Sequence, residues 1–401
     1  RGVAPFGLLG CTLAYVAAYT PPSTCLPPTI GGQVPLSLLV ALYGTSGAGK
    51  SSLAAVAAEI TALRDDKVIG PIQVGTGEGL VEIYHDFVDE KDANGKTKSV
   101  KRQVKRGAIL TLDEGGMLAE IASRKGATIM PVLRTAWSGG DPGQANASAE
   151  TRRSLRAGSY TLGLISSWQD KAAQFLLADA DGGTPQRFVW FSSNDPNAPD
   201  DEPDWPGRLE IDLPAAYDMG VPFRLAPEVV AELKETRRGV LRGTLDVNPL
   251  DAHRNLNKLK VAGCLAVLDG RHREITDDDW ALAERIMRAS DAIRDHVVRK
   301  AREADEARTV ASAKKQALRD AIVADTATQR ATMSGAKAAW RAATKAVDNG
   351  RKASRRDVAA AMKSTDRKLG VVDDAIAKAV ELGWIEGDEK GGYTPGKARP
   401  A

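Results

Sequence analysis

The chain has 401 residues, of which 43% are hydrophobic and 27% are charged, and its formal net charge is +3. This is the balance of a globular protein long enough for two or three domains with sizeable cores. Such a small net charge excludes a global field that would attract polyanions, but a local basic region is still compatible with a polyanionic partner.

Cysteine usage bears on the compartment and on metal binding. The three cysteines, Cys11, Cys25 and Cys264, are widely spaced and form no C-x-x-C pair. Their odd number and spacing argue against a disulfide framework and a zinc site, and favour a reducing, cytoplasmic compartment. The histidines are equally scattered, so we expect no metal other than a nucleotide-bound Mg²⁺.

Residues 1–37 are predicted to form an N-terminal helix followed by a proline-rich linker. Residues 3–19 are apolar enough to suggest a signal peptide, but they are too short to span a membrane and are interrupted by Pro5 and Gly7. A buried helix is the better interpretation, with the linker at residues 21–28. We therefore expect no membrane contact.

The next domain, residues 38–226, begins with an apolar strand at 38–43 and a glycine-rich motif. The pattern G-x-x-x-x-G-K-[ST] is matched by Gly44, Thr45, Ser46, Gly47, Ala48, Gly49, Lys50 and Ser51, and Ser52 opens an alanine-rich helical segment at 52–63. A phosphate-binding loop requires this strand, loop and helix context. Backbone amides and the positive end of the helix would face the phosphates. Lys50 would reach the β- and γ-phosphates, and Ser51 would hold Mg²⁺.

Strand-like and helix-like segments alternate through this domain, which predicts an α/β core with a mainly parallel sheet. Further strands are expected at residues 71–74, 108–112, 160–166 and 187–193. A glycine-rich turn is expected at 75–79, a hairpin tip or mobile basic loop at 93–106, and a loop at 194–207. The basic loop is a candidate for facing a central channel.

Residues from 227 onward are predicted to be mostly helical. Residues 227–302 form a lid-like helical region with a capping box from Thr276 to Asp279. Residues 303–350 are a charged helical linker. Residues 351–401 have the pattern of a winged helix, with helices at 354–362 and 371–382. Its basic residues could neutralise DNA phosphates with the second helix in a groove, or the domain could contact protein. These basic residues are Lys352, Arg355, Arg356, Lys363, Arg367 and Lys368.

Two carboxylates, Asp113 and Glu114, end the predicted strand at 108–112. An ATPase needs one acid for the metal and a second to orient and deprotonate the attacking water. We assign Asp113 to Mg²⁺ and Glu114 to the water, while a helix N-terminus that favours acids is the alternative. Glu78 is a rival for the catalytic role, because RecA-like ATPases carry their glutamate after the strand that follows the phosphate-loop helix.

Two further residues are candidates for contact with the γ-phosphate. Gln169 follows the strand at 160–166 and could sense this group, or it could simply bond to the loop backbone. Arg187 could act in trans on a neighbouring subunit's nucleotide, or it could merely flank a strand. Arg134 and the pair Arg152 and Arg153 are weaker alternatives to Arg187.

With these motifs in place, the chain resembles the helicase-like ATPase half of primase–helicase proteins from actinobacterial phages, prophages and plasmids. The likeness runs almost end to end, and among its motifs only the phosphate loop is specific alone. The segments that carry it are LPPTIGG at 26–32, GTSGAGKS at 44–51, GTGEG at 75–79, LRTAWSG at 133–139, GTPQRF at 183–188, WPG at 205–207 and GWI at 383–385.

The resemblance implies an ATP-driven motor that forms a ring, with a hexamer expected, and that acts on single-stranded DNA during replication of a mobile element. Related proteins often carry a primase/polymerase domain upstream, which would suit a chain that starts at Arg1. The resemblance leaves a RecA-like and an AAA+-like core both open. We therefore expect an ATPase and DNA helicase. The alternative is an ATP-switched DNA-binding initiator or regulator that does not unwind.

Overall fold

The structure of the protein is a computed structural model that describes residues 2–29, 31–91, 95–144, 153–201, 204–205 and 207–400. The chain divides into two compact units, Arg1–Glu303 and Ala304–Ala401. Helix α9 contributes its first part to one unit and its last part to the other. The helices are α1 (Pro5–Tyr19), α2 (Lys50–Thr61), α3 (Gly77–Glu82), α4 (Gly115–Ser123), α5 (Ile129–Trp137), α6 (Asp170–Ala178), α7 (Pro227–Arg242), α8 (Arg254–Leu268), α9 (Asp277–Asp348), α10 (Arg355–Ala361), α11 (Ser364–Lys368) and α12 (Val372–Glu381).

The strands are short, and several contain only two residues. They are β1 (Thr24–Leu26), β2 (Val34–Pro35), β3 (Leu38–Tyr43), β4 (Val68–Ile72), β5 (His85–Lys91), β6 (Thr97–Gln103), β7 (Gly107–Leu112), β8 (Gly143–Gln144), β9 (Arg153–Ser154), β10 (Thr161–Trp168), β11 (Phe188–Ser192), β12 (Val221–Pro222), β13 (Arg224–Leu225), β14 (Glu274–Ile275), β15 (Ile385–Gly387) and β16 (Tyr393–Pro395).

The first unit is built on a five-stranded sheet whose order is β11-β3-β10-β7-β4. All of its pairings are parallel, so the predicted α/β core with a parallel sheet is confirmed. Alternate residues of β3 enter two different hydrophobic clusters, Leu38 and Val40 on one side and Leu39 and Ala41 on the other. This period of two is what a strand buried on both faces requires.

Helices cover both faces of this sheet. The cluster on one face includes residues of α1, α2, α8 and the start of α9, and the cluster on the other includes residues of α3, α4, α5 and α6. The result is a three-layer α/β/α arrangement. A parallel sheet needs this cover because its strands are apolar on both sides.

The apolar N-terminal segment is a core helix, as predicted. Helix α1 crosses the sheet closely, since a Cβ at Gly163 would lie 2.1 Å from the Ala14 carbonyl oxygen. The Thr161 hydroxyl donates to the Ala18 carbonyl at 2.9 Å. None of the described helices combines the length and apolar character needed to cross a bilayer.

Two local predictions between residues 71 and 106 are wrong in their bounds. The strand expected at 71–74 is β4, which ends at Ile72, and the expected turn at 75–79 contains the start of α3. Thr76 caps this helix by accepting a hydrogen bond from the Gly79 amide at 2.9 Å. Of the two alternatives for residues 93–106, the hairpin is right, but it is longer than a tip, because β5 and β6 pair over seven residues each from His85↔Gln103 to Lys91↔Thr97. Cross-strand pairing outweighs the low strand propensity of these charged residues; Ala93 and Asn94 lie outside the described residues.

The second unit contains the two helices expected near the C-terminus, and β15 and β16 form an antiparallel hairpin. Its core is formed by alanines of the last part of α9 together with residues of α10, α12 and β15. Ser354 and Asp357 form a capping box at the start of α10, and Ala353 bridges Tyr393 of β16. Helix α11 was not predicted.

In the first unit, the predicted capping box at Thr276 and Asp279 is confirmed by their reciprocal bonds at 2.9 and 3.3 Å.

Candidate functional site

The glycine-rich loop joins the carboxyl end of β3 to the first residue of α2. Gly47 and Gly49 adopt φ of 81° and 72°, in the left-handed region that side chains disfavour. A Cβ at either residue would meet nothing within 4 Å, so the backbone conformation is what calls for glycine here. These turns let the loop curl around an open space in front of the helix.

Lys50 lies at the mouth of this loop. Its Nζ donates to the Gly44 carbonyl at 2.9 Å and to the Thr45 carbonyl at 2.6 Å. The lysine thus clamps the start of the loop to the start of α2. Burial lowers the pKa of Lys50, and an anion bound beside the ammonium would counteract that shift because it favours the charged form.

The first turn of α2 is suited to an anion. Its N-cap residue, Gly49, offers no side-chain cap, so the amides of the first turn lack the usual side-chain acceptor. These amides and the helix dipole both favour negative charge at this end. A phosphate group fits both features.

Asp113 and Glu114 follow β7 at the carboxyl end of the sheet, the end at which the loop also lies. Leu112 of β7 pairs with Ser166 of β10, and Ser166 in turn pairs with Ala41 of β3. With neighbouring strands ~4.8 Å apart, β7 lies about 10 Å from β3. Gln73 donates to Asp113 Oδ2 at 3.1 Å, and Glu114 is an exposed N-cap residue of α4. The structure therefore brings both acids to the side of the loop.

An oxygen-ligated Mg²⁺ is compatible with these side chains. The hydroxyl of Ser51 and the carboxylate of Asp113 are the hard oxygen donors that Mg²⁺ prefers, usually together with phosphates and waters. Within the described ranges, no group of three or more His, Cys, Asp or Glu residues could hold a metal ion.

Glu78 lies elsewhere. It is in the first turn of α3, after β4, and β4 is the strand at the far edge of the sheet, with β7 and β10 between it and β3. The Thr128 hydroxyl donates to its carboxylate at 2.8 Å. The structure therefore separates Glu78 from the loop by two strands and gives it a structural partner.

Gln169 is close in sequence and space to the loop strand. It follows Trp168 at the end of β10, the strand between β3 and β7, and it is exposed. The Gly44 amide donates to the Trp168 carbonyl at 3.2 Å. The predicted position at a strand end beside the loop is confirmed, but what it contacts in function is still a prediction.

Arg187 lies at the opposite end of the sheet. It precedes β11, whose first residue, Phe188, pairs with Leu39 near the start of β3. Its guanidinium donates to the Gly183 carbonyl and stacks on Trp137 at 5.2 Å from the ring centroid. Burial, together with the charge of Arg134, lowers the pKa of Arg187 to about 10. Arg187 therefore cannot reach a phosphate held by its own loop.

The weaker arginine candidates are partly accounted for. Arg134 donates to Asp179 and Thr184, each at 2.9 Å. Arg152 lies outside the described residues, and Arg153 is described only by its backbone in β9. Arg134 is thus engaged in holding the turn that precedes Arg187.

Sequence reasoning missed a cleft of about 360 Å³ beside the loop. Its walls include Tyr43, Thr45 and Asn194, and His296 and Lys300 of α9. The Tyr43 hydroxyl and the Lys300 ammonium both donate to Asp170, which ties α9 to the end of β3. No local pattern links residue 300 to residue 43, so only the folded chain shows this wall.

No protein-family model matches the chain, and no curated protein shows a significant similarity to it.

Proposed function

We propose that this protein is an ATP-hydrolysing motor that acts on DNA in the cytoplasm, as a helicase or primase–helicase ATPase of a mobile element. The observation that carries the proposal is the loop geometry: Lys50 Nζ is held by the Gly44 and Thr45 carbonyls in front of an uncapped helix end. A lysine point charge and converging amides at a helix N-terminus are suited to a triphosphate. The finer fold that we propose is a P-loop core, RecA-like or AAA+-like, with a C-terminal winged helix.

The side chains around the loop have separate roles in this proposal. Ser51 and Asp113 would hold Mg²⁺, which supplies charge neutralisation to the phosphates when it is bound. Glu114 would orient the attacking water and accept its proton. Gln169 would contact the γ-phosphate from the end of β10, the strand between β3 and β7. Glu114 and Gln169 are both exposed at the carboxyl end of the sheet, which supports these two assignments.

We propose that α12 contributes less to DNA binding than the composition of residues 351–401 predicts. The exposed part of α12 carries Asp373 and Asp374, and Arg355 donates to Asp373 at 2.6 Å. An acidic helix would repel the phosphates that line a groove. Lys352 is likewise paired, with Asp388 at 2.6 Å. These charges weigh against groove binding by α12 and favour a protein-contact role for this face.

A ring, which we propose to be a hexamer, would give Arg187 a function. Since it lies at the far end of the sheet from its own loop, it could serve only a neighbour's nucleotide, after leaving the Gly183 carbonyl. Mixing Lys50→Ala and Arg187→Ala subunits tests this role. Activity recovered by the mixture, when each variant alone is inactive, supports it; an inactive mixture contradicts it.

The decisive experiment measures ATP hydrolysis and strand separation by the same preparation. Wild type should hydrolyse ATP faster with single-stranded DNA and should unwind a tailed duplex. Lys50→Ala should lose nucleotide binding. Glu114→Gln should bind ATP but turn it over ~10²–10⁴-fold more slowly. Glu120→Gln, an exposed carboxylate on α4, is the matched control.

The outcomes separate the alternatives. A wild-type chain that neither binds nor hydrolyses ATP would overturn the proposal. ATP-dependent DNA binding without strand separation, and hydrolysis indifferent to DNA, would favour the switch-like initiator or regulator instead.

A further inference from the structure

A basic cleft lies at the other end of the first unit from the glycine-rich loop. It measures about 300 Å³, and Thr24 of β1 lines it. Strand β1 pairs with β2, which precedes β3 by two residues, so the cleft adjoins the amino end of β3. The loop lies at the carboxyl end, about 20 Å away along a six-residue strand. The cleft is therefore separate from the candidate nucleotide site.

Two exposed arginines of this cleft can contact a ligand. Arg224 and Arg273 line it, both are exposed, and neither has a carboxylate partner among the residues that the structure describes. Arg271, by contrast, is paired with Asp279 at 2.6 Å and with Asp269 at 3.1 Å. Arg224 and Arg273 are held together, because the Arg224 amide donates to the Arg273 carbonyl at 2.8 Å. Their backbones are thus fixed side by side, and two arginines lining one cleft suit phosphate oxygens.

An aromatic ring stands beside these arginines. The Arg273 guanidinium lies 5.0 Å from the ring centroid of Tyr217, and 49% of Tyr217 is exposed. The Tyr217 amide donates to Ser23 Oγ at 3.1 Å, which anchors the segment that carries the ring. An exposed, anchored ring next to cations is the usual platform for an unpaired base.

We propose that this cleft binds single-stranded nucleic acid, with phosphates on Arg224 and Arg273 and a base stacked on Tyr217. A single strand is required because a paired base is not free to stack on a side chain. This inference rests on the proposed function only in taking a nucleic-acid strand as the partner; the cleft residues take no part in the nucleotide site.

A carboxylate of the cleft wall opposes such a ligand and offers a gain-of-function test. Glu274 is exposed, lines the cleft and is the β-bridge partner of Arg224. Its charge would repel a phosphate bound to that arginine. Glu274→Gln should therefore tighten binding, a result that misfolding cannot produce.

The test measures binding of a fluorescein-labelled oligodeoxythymidine by the full chain, from fluorescence anisotropy at several salt concentrations. Arg224→Glu/Arg273→Glu should weaken binding at least tenfold and lower the slope of log Kd against log salt by about 1.4, since each single-strand phosphate contact contributes ~0.7. Tyr217→Ala should weaken binding roughly fivefold or more, and Tyr217→Phe should not. Arg238→Glu/Arg285→Glu, at exposed arginines on α7 and α9, is the charge-matched control.

Two results would overturn the inference. One is wild-type affinity in both the double-arginine variant and Tyr217→Ala. The other is loss of binding in the arginine variant alone, with competition by tripolyphosphate, which would identify a general anion site.

The failure of this inference can be told from that of the proposed function. If wild type hydrolyses ATP and binds the strand but the cleft variants bind it equally well, only the cleft assignment fails. If wild type binds no strand, the DNA part of the proposed function fails as well. ATP hydrolysis without DNA should be the same in every cleft variant.

Discussion

A Cβ at Gly44 would lie 2.0 Å from Ser193 Oγ, so the residue that opens the glycine-rich loop packs directly against the end of the neighbouring strand. The Ser193 amide and hydroxyl both donate to the Tyr43 carbonyl, at 2.9 and 3.2 Å. The segment after β11 thus fixes the point at which the chain leaves β3.

Gly44→Ala is therefore expected to disturb the loop. Ser193 must turn its hydroxyl away and lose the bond to Tyr43, at a cost of about 1–3 kcal/mol in unfolding free energy. ATP affinity should fall at least tenfold. Gly44→Ala/Ser193→Ala should recover part of both losses, because the next atom, Asn194 Oδ1, is 3.1 Å away. Urea unfolding and titration with a fluorescent ATP analogue measure the effects; equal values for the two variants would contradict this account.

The two candidate glutamates should differ in their effect on turnover. Glu78→Gln should lower kcat less than tenfold, since the Glu78 side chain is bonded to Thr128 and lies beyond β7. Glu114→Gln should lower it ~10²–10⁴-fold. Steady-state ATP hydrolysis at saturating ATP is the measurement, and the reverse order of effects would transfer the catalytic role to Glu78.

Lys260 should make stability depend on pH in the alkaline range. It is fully buried, donates to the Ser37 carbonyl at 2.7 Å and lies 4.2 Å from the Trp137 ring centroid. Burial lowers the pKa of Lys260 well below the usual value of 10.5 for a lysine. Between the folded and unfolded pKa values the unfolded chain binds more protons, so stability rises with pH.

Lys260→Met should lack this rise. From neutral pH to pH about 10, the unfolding free energy of wild type should rise relative to that of Lys260→Met. Denaturant unfolding across that range measures it, with Lys234→Met, an exposed lysine of α7, as the control. A difference that stays constant with pH would show that Lys260 has the same proton occupancy in both states.

Glu284 should contribute stability that acid removes. Burial raises the pKa of Glu284, but hydrogen bonds and charges from Arg254 and Lys258 outweigh it and lower the pKa to about 2. A depressed folded pKa gives stability that is present above the unfolded value and is lost as pH falls from about 4.5 to about 2.

Glu284→Gln should cost about 1–2 kcal/mol at neutral pH, since it removes one carboxylate from a cation cluster that solvent partly screens. The difference in unfolding free energy between wild type and Glu284→Gln should shrink as the pH falls from about 4.5 to about 2. Urea unfolding at neutral pH and near pH 3 is the measurement. Glu235→Gln, exposed on α7, should change little; a gap that persists in acid would refute the pairing argument.

Sequence patterns predicted the elements near the loop well because local features specify them. The strand β3 matches the expected bounds, Leu38–Tyr43, and the helix after the loop begins at Lys50. Apolar runs and glycine turns encode both directly. The hairpin β5–β6 was underestimated because charged residues rarely signal strands, and their pairing depends on the partner strand rather than on propensity.

In the candidate site, too, the amino-acid sequence determines the local features and the tertiary structure the long-range ones. The sequence by itself determined the loop from Gly44 to Ser51, a parallel α/β core and the strand that is followed by Asp113, since each depends on short-range periodicity and turn chemistry. The tertiary structure alone decided that β10 separates β3 from β7, that Glu78 lies at the far edge and that Arg187 faces away from the loop. It also decided that Lys300 and Asn194 share a wall with Tyr43, because strand order and helix packing arise from long-range burial that no window of sequence contains.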